Sequence, residues 1–164
     1  MSEKAEEHNP VNVDNSDPNA ISDRSAWISL LAQSPAEDLS ARWSELGLAP
    51  KFTYLRRPEI GLVMTQGRAG AVGERFNLGE ATVTRCSVRL ATGEEGHAYA
   101  LGRSARKAEI SALCDALMQT KHAAALATKV LAPLAYAQSA RREDAARKAA
   151  ATKVEFFTMT RGEG

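Results

Sequence analysis

Several things are scarce in this chain of 164 residues. Cysteine occurs twice, as Cys86 and Cys114. Two distant cysteines make no C-x-x-C metal or redox pattern, and both fall at core positions of an expected strand and helix, so they read as buried reduced thiols. Aromatics are 5% of the residues, and much of the 44% hydrophobic share is alanine, so self-burial is modest and a partner would help. Charge of one sign is lacking too: the net charge of +1 argues against a nucleic-acid binder, which is normally strongly basic and, for single strands, richer in stacking aromatics. No apolar run approaches the ~20 residues of a membrane helix, and the acidic, polar N-terminus does not resemble a signal peptide. A cytoplasmic protein without membrane or nucleic-acid partners is the expectation.

Reactive constellations are also missing from the sequence. There is no Ser-His-Asp order, no clustered set of metal ligands and no cysteine beside a histidine. His97 has no second histidine at helical spacing and reads as a strand-edge residue. Glu74 and Glu80 flank a glycine-rich turn and would be the acid and base of any chemistry there, although isolated loop carboxylates are usually only solvated. No catalytic residue and no metal ligand is assigned.

What is present centres on residues Gly67 to Arg103. A glycine-rich turn with Gly67, Gly70 and Gly73 is neither a dinucleotide fingerprint nor a phosphate loop. It serves either as a wide turn needing positive φ or as a place where backbone amides and Arg68 or Arg75 approach an anion or a partner's backbone. The strand after it is two-faced, because residues two apart share a face. Thr82, Thr84, Cys86, Val88 and Leu90 form a side that helices can cover. Val83, Arg85, Ser87 and Arg89 form a side that stays exposed or meets something anionic. Arg85 and Arg89 lie roughly 13 Å apart along a strand, a span suited to two partner carboxylates or an extended polyphosphate.

The remainder reads as scaffold. Met1 to Ile21 buries too little to order and is expected to be a disordered tail ahead of a single domain over residues 22–164. Ser22 or Asp23 caps a helix with Trp27, Ile28, Leu30 and Leu31 as its stripe. Ser34-Pro35-Ala36-Glu37 has the form of a capping box before a helix carrying Leu39, Trp43 and Leu46 and stopped by Gly47. Pro50–Arg57 and Ile60–Gln66 predict two strands joined by a turn at Arg57-Pro58-Glu59. His97–Leu101 returns as a strand, and Ser104 opens a helix with Ile110, Leu113, Cys114 and Leu117 inward. An alanine-rich helix over His122–Leu131 stops at Pro133. Tyr136–Lys153 is a helix whose apolar face is only alanine, either a solvated strut or a surface letting a partner come close. Val154–Thr160 (VEFFTMT) is a final strand. The fold class is α+β: an antiparallel sheet of four or five strands with helices mainly on one face.

The blocks GLVMTQGRAGAVGERFNLGEATVTRCSVRL, AYALGR, LCDALMQ, VLAPL and VEFFTMTRG resemble the PhnG family, a subunit of the bacterial carbon–phosphorus lyase core complex, over about Trp27 to Gly162. The resemblance implies work in an assembly with PhnH, PhnI and PhnJ and the ATPase-like PhnK and PhnL. With PhnI, PhnH and PhnL, such a subunit supports displacement of adenine from ATP by methylphosphonate, giving ribose 1-methylphosphonate 5-triphosphate. It implies no cofactor of its own, ATP being a substrate of the complex. Arg68, Gly73, Glu74, Arg75, Phe76, Gly79, Thr84, Arg85, Arg89, Gly102 and Arg103 match motif positions and are implied to be interface or structural residues. Ala69-Gly70-Ala71 departs from the family's paired glycines, which counts against a phosphate cradle in the turn. The alternative is a stand-alone nucleotide- or anion-binding transferase using Gly67–Phe76 with Glu74 or Glu80.

Overall fold

Two short helices open the described chain, which in this computed structural model comprises residues 23–68 and 73–151. α1 (Arg24–Gln33) buries Ala26, Trp27, Leu30 and Leu31, and α2 (Ala36–Leu46) buries Leu39 and Trp43. These are the expected stripes. Gly47, at φ +67°, ends α2 in the left-handed conformation that glycine adopts without cost. The capping box does not form. Pro35 is the residue before α2, and the buried Ser34 hydroxyl points backwards, donating to the Leu30 carbonyl at 2.7 Å. Ser34 thus closes the end of α1, its amide and its hydroxyl both donating to the Leu30 carbonyl.

The sheet is antiparallel, ordered β1-β2-β3, from β1 (Phe52–Arg68), β2 (Arg75–Leu90) and β3 (Glu95–Leu101). The two strands expected on either side of Pro58 are one strand. β1 lies at an edge, where a residue without an N–H is tolerated. The register slips between Tyr54 and Arg56 and again between Arg56 and Glu59, absorbing Pro58 as an irregularity instead of a turn. Among the described residues the sheet therefore has three strands. The further strand expected from VEFFTMT lies outside them, as does the expected tail over residues 1–21.

β2 is two-faced as its alternation requires. Thr84, Cys86, Val88 and Leu90 are buried against α3 (Ala105–Leu117), which covers β2 and β3 on that side. Val83, on the other face, is buried as well, between Gly61 and Leu101 in the register. Approach of α3 is close: a Cβ at Gly96 would stand 1.9 Å from the Ala112 carbonyl oxygen. Ser104 caps α3, its hydroxyl accepting from the Lys107 amide at 3.2 Å.

α3 also carries the polar ties of the core. Asp115, wholly buried, accepts from Arg24 Nε (3.0 Å) and Nη2 (2.8 Å), Trp27 Nε1 (2.9 Å) and the His97 amide (2.9 Å). Lys107 donates to the Ala32 carbonyl at 2.7 Å and the Leu101 carbonyl at 3.3 Å, and burial pushes its pKa down. The Glu95 carbonyl accepts from Gln119 Nε2 and Arg24 Nη2. Side chains thereby engage the β3 backbone at Glu95, His97 and Leu101, blunting part of its outer edge.

Pro133 does not stop a helix. α4 (Ala123–Leu126) passes through a π-helical turn (Ala127–Leu131) into α5 (Ala132–Ala151) without a break. Proline lacks a donor and its ring crowds the carbonyl four residues back; the widened turn immediately before it relieves both problems.

Two outcomes follow for the chain on its own. Asp115→Ala leaves Trp27 Nε1, the His97 amide and Arg24 without their acceptor, and we expect a loss of about 3–5 kcal/mol in urea unfolding. Burial and, secondarily, the Glu109 charge push the Cys86 thiol from 9.0 up to about 11. The Tyr54 hydroxyl donates to the Glu109 carboxylate, which with burial raises it from 10.0 to about 12. The folded chain holds these protons where the unfolded chain sheds them. Stability is therefore complete below about pH 9 and declines as pH rises through the folded values. Urea midpoints measured across that range check it, and native thiols should resist alkylation at pH 8 until the chain is unfolded.

Candidate interaction surface

The helices cover one side of the sheet and leave the other open. On that open face the register sets Arg85 opposite Tyr99 and Glu59, Ser87 opposite His97, and Arg89 opposite Glu95 and Thr53. The anionic company that the sequence requires for these arginines comes in part from the neighbouring strands. Arg89 Nε donates to Glu95 Oε1 at 2.9 Å. Arg85 Nη2 donates to Glu59 Oε2 at 3.3 Å, and Arg56 approaches the same carboxylate oxygen at 3.8 Å. Between the two ion pairs, Ser87 Oγ and His97 Nδ1 share a hydrogen bond of 2.9 Å. That contact was legible only once the strand register was known.

Both ion pairs are open to water: the Arg85 and Arg89 side chains are 38% and 52% exposed. Exposed pairs of this kind contribute about 0–1 kcal/mol, so they exchange easily for a partner's carboxylates. Arg85 is also incompletely satisfied, its Nε having no acceptor.

The other expected positions fall into three places. Thr84 and Gly102 are structural. The buried Thr84 hydroxyl donates to the Gly102 carbonyl at 2.7 Å, and Gly102, at φ +91°, donates to the Thr82 carbonyl at 2.9 Å. Together they close the end of the β2–β3 pair, with Arg103 exposed just beyond. Gly79 pairs with Thr65 beside a register irregularity, and its carbonyl accepts from Thr65 Oγ1 at 2.9 Å. Arg68, Gly73, Glu74, Arg75 and Phe76 lie at the far end of the β1–β2 hairpin. Glu80 lies inside β2, opposite Met64, not in the turn. None of these lines the cleft of about 550 Å³ at the opposite end of β2, between Lys51, Leu90, Glu94, Lys121 and His122.

α5 supplies a second free surface. After Gln138 it is largely exposed, held at its base by Gln138 to Gln33 at 3.1 Å and Arg141 to Asp38 at 3.3 Å. Along it Lys148 meets Asp144 at 2.8 Å, Arg147 turns to the same carboxylate, and Glu143 accepts from Ser139. Among the described residues no three His, Cys, Asp or Glu side chains group as metal ligands, and no helix is long and apolar enough to cross a membrane.

Residues 22–162 match the model of a family described as "Phosphonate metabolism protein PhnG". A curated relative from Rhizobium meliloti (strain 1021), named alpha-D-ribose 1-methylphosphonate 5-triphosphate synthase subunit PhnG, is 40% identical over 148 residues, covering 90% of this chain and 95% of the relative. A match of that extent, in a chain whose arginine-bearing sheet face and alanine-faced helix are left uncovered, makes this chain a member of the PhnG family of phosphonate metabolism proteins.

Proposed function

We propose that the chain is an accessory subunit of a ribose 1-methylphosphonate 5-triphosphate synthase in phosphonate catabolism. It contributes surface, not a reactive centre, to the displacement of adenine from ATP by methylphosphonate. Its partners in this reading are PhnI, PhnH and PhnJ, with the ATPase-like PhnK and PhnL, in the cytoplasm. It brings no cofactor of its own, and ATP is a substrate of the assembly.

The observation that carries the reading is the near full-length likeness to a synthase subunit. The geometry supports it. The open sheet face presents Arg85, Ser87, Arg89, His97 and Tyr99 on a rigid element, with guanidiniums held only by exchangeable pairs. Two carboxylates set along a partner's surface would meet Arg85 and Arg89 together, and each charge-assisted contact would strengthen as water leaves.

Arg85→Ala and Arg89→Ala are expected to leave the isolated chain within about 1 kcal/mol of its parent while lowering its recovery in a co-expressed complex by roughly tenfold. Affinity purification through another subunit, with urea unfolding of each variant, checks both halves. Normal assembly of both variants would remove the sheet face from the interface. Turnover of ATP and methylphosphonate by the purified chain alone would overturn the accessory role.

A further inference from the structure

One end of the molecule remains without a role in that reading. β3 ends at Leu101, opposite Val83. Beyond it β1 and β2 run on as a two-stranded ribbon, from Leu62 opposite Thr82 to Arg68 opposite Arg75, with Ile60 just inside the three-stranded part. Its side chains belong to a core. Ile60, Leu62 and Met64 alternate along one face and are 60%, 60% and 56% exposed. Their register with Thr84, Thr82 and Glu80 makes them a continuation of the face that α3 covers further along. Phe76 and Leu78, 47% and 68% exposed, occupy the other face. They lean over Gly67, where a Cβ would stand 3.5 Å from the Phe76 ring and 3.8 Å from Leu78.

An isolated two-stranded ribbon is marginal in water, and exposed apolar surface gathered in one place marks an interaction site. The far end adds a second cost. Arg68 and Arg75 stand directly opposite each other, and like charges so placed repel. Neither has an ion-pair partner among the described residues. A cleft of about 340 Å³ opens between them, lined also by Gln66 and Gly67.

We infer that the ribbon is an insertion arm, housed in the assembly by a different subunit that offers an apolar slot closed at its end by carboxylates. The inference rests on the subunit role proposed above and names the surface that performs it. Apolar side chains on both faces require a slot; a second copy of this chain stacked on one face would leave the other wet.

The test uses the full chain, alone and co-expressed with the other synthase subunits. It combines amide exchange with three variants: Leu62→Asp and Leu78→Asp, one for each face, and Arg75→Glu at the tip. Amides of residues 62–68 and 75–82 should exchange at least about tenfold more slowly in the complex than in the free chain. Each variant should recover roughly tenfold less complex while the free chain melts as its parent does, since these side chains are already exposed. If the parent assembles but the ribbon amides stay fast, or the variants assemble normally, the arm is overturned and the subunit role stands. If the free chain is a dimer that Leu62→Asp makes monomeric, the foreign slot is overturned in favour of a second copy. If the parent assembles with no other subunit, the proposed function falls and the arm with it.

Discussion

The fold turns on one buried carboxylate. Asp115 sits on α3 and accepts four hydrogen bonds, from Arg24 and Trp27 on α1 and from the backbone of β3. A carboxylate removed from water must be satisfied on nearly every lone pair, or its desolvation outweighs its attraction to any one cation. Here the requirement fixes three elements at once: it holds α1 alongside β3, presses α3 onto β3 and sets the height at which Gly96 passes under Ala112 and Ala116. Lys107, two turns earlier on the same helix, repeats the device with a cation between the carbonyls of Ala32 and Leu101. These ties put every covering helix on one side of the sheet. Among the described residues the other side is left open as a consequence.

That asymmetry sorts the charged residues into two populations. Asp115 and Lys107 are buried, and most of their partners cannot be replaced by water without loss. Arg85 makes one hydrogen bond to an exposed carboxylate and Arg89 makes two to a single oxygen of another, contacts that salt and solvent already weaken. A protein that used these arginines for its own stability would bury them in bidentate pairs. Leaving them in loose pairs keeps them dissolved in the free chain and available on assembly, since a partner's carboxylate replaces Glu59 or Glu95 at little net cost. Such residues act on recognition and on the rate of encounter more than on the fold.

The limits of legibility in the sequence have the same physical origin. The stripes of α1, α2 and α3, the Gly47 stop, the Ser104 cap and the two faces of β2 depend on neighbours within a few residues, and local pattern reads them. Pro58, Pro133 and Ser34 misled because tertiary context decided each one. An edge strand tolerates Pro58, a π-helical turn makes room for Pro133, and a buried corner turns Ser34 back to α1. Asp115 gave no signal because its partners lie 18 to 91 positions away. Arg85 and Arg89 were legible as exposed cations, yet their partners, and the Ser87–His97 contact between them, needed the register. Thr84 and Gly102 shared a motif with interface candidates and proved to be bonded to each other.

The uncovered face and the ribbon are two results of one shortage. The three strands of the described chain have two edges and two faces, and the described helices close one face while side chains engage part of one edge. With large apolar residues concentrated in α1, α2, α3 and the strand segments beneath them, little remains in α5 to cover anything else. Its exposed length is alanine and charge. Ile60, Leu62, Met64, Phe76 and Leu78 therefore lie where no element of the described chain reaches. Burying any one of them fully would contribute about 1.5–3 kcal/mol, which the free monomer forgoes and an assembly recovers. The ordering cost of the ribbon is largely met already, because its register continues that of the packed strands. A pre-formed arm of this kind binds with less entropic loss than a segment that must fold on contact, so the same residues that weaken the isolated chain favour the complex.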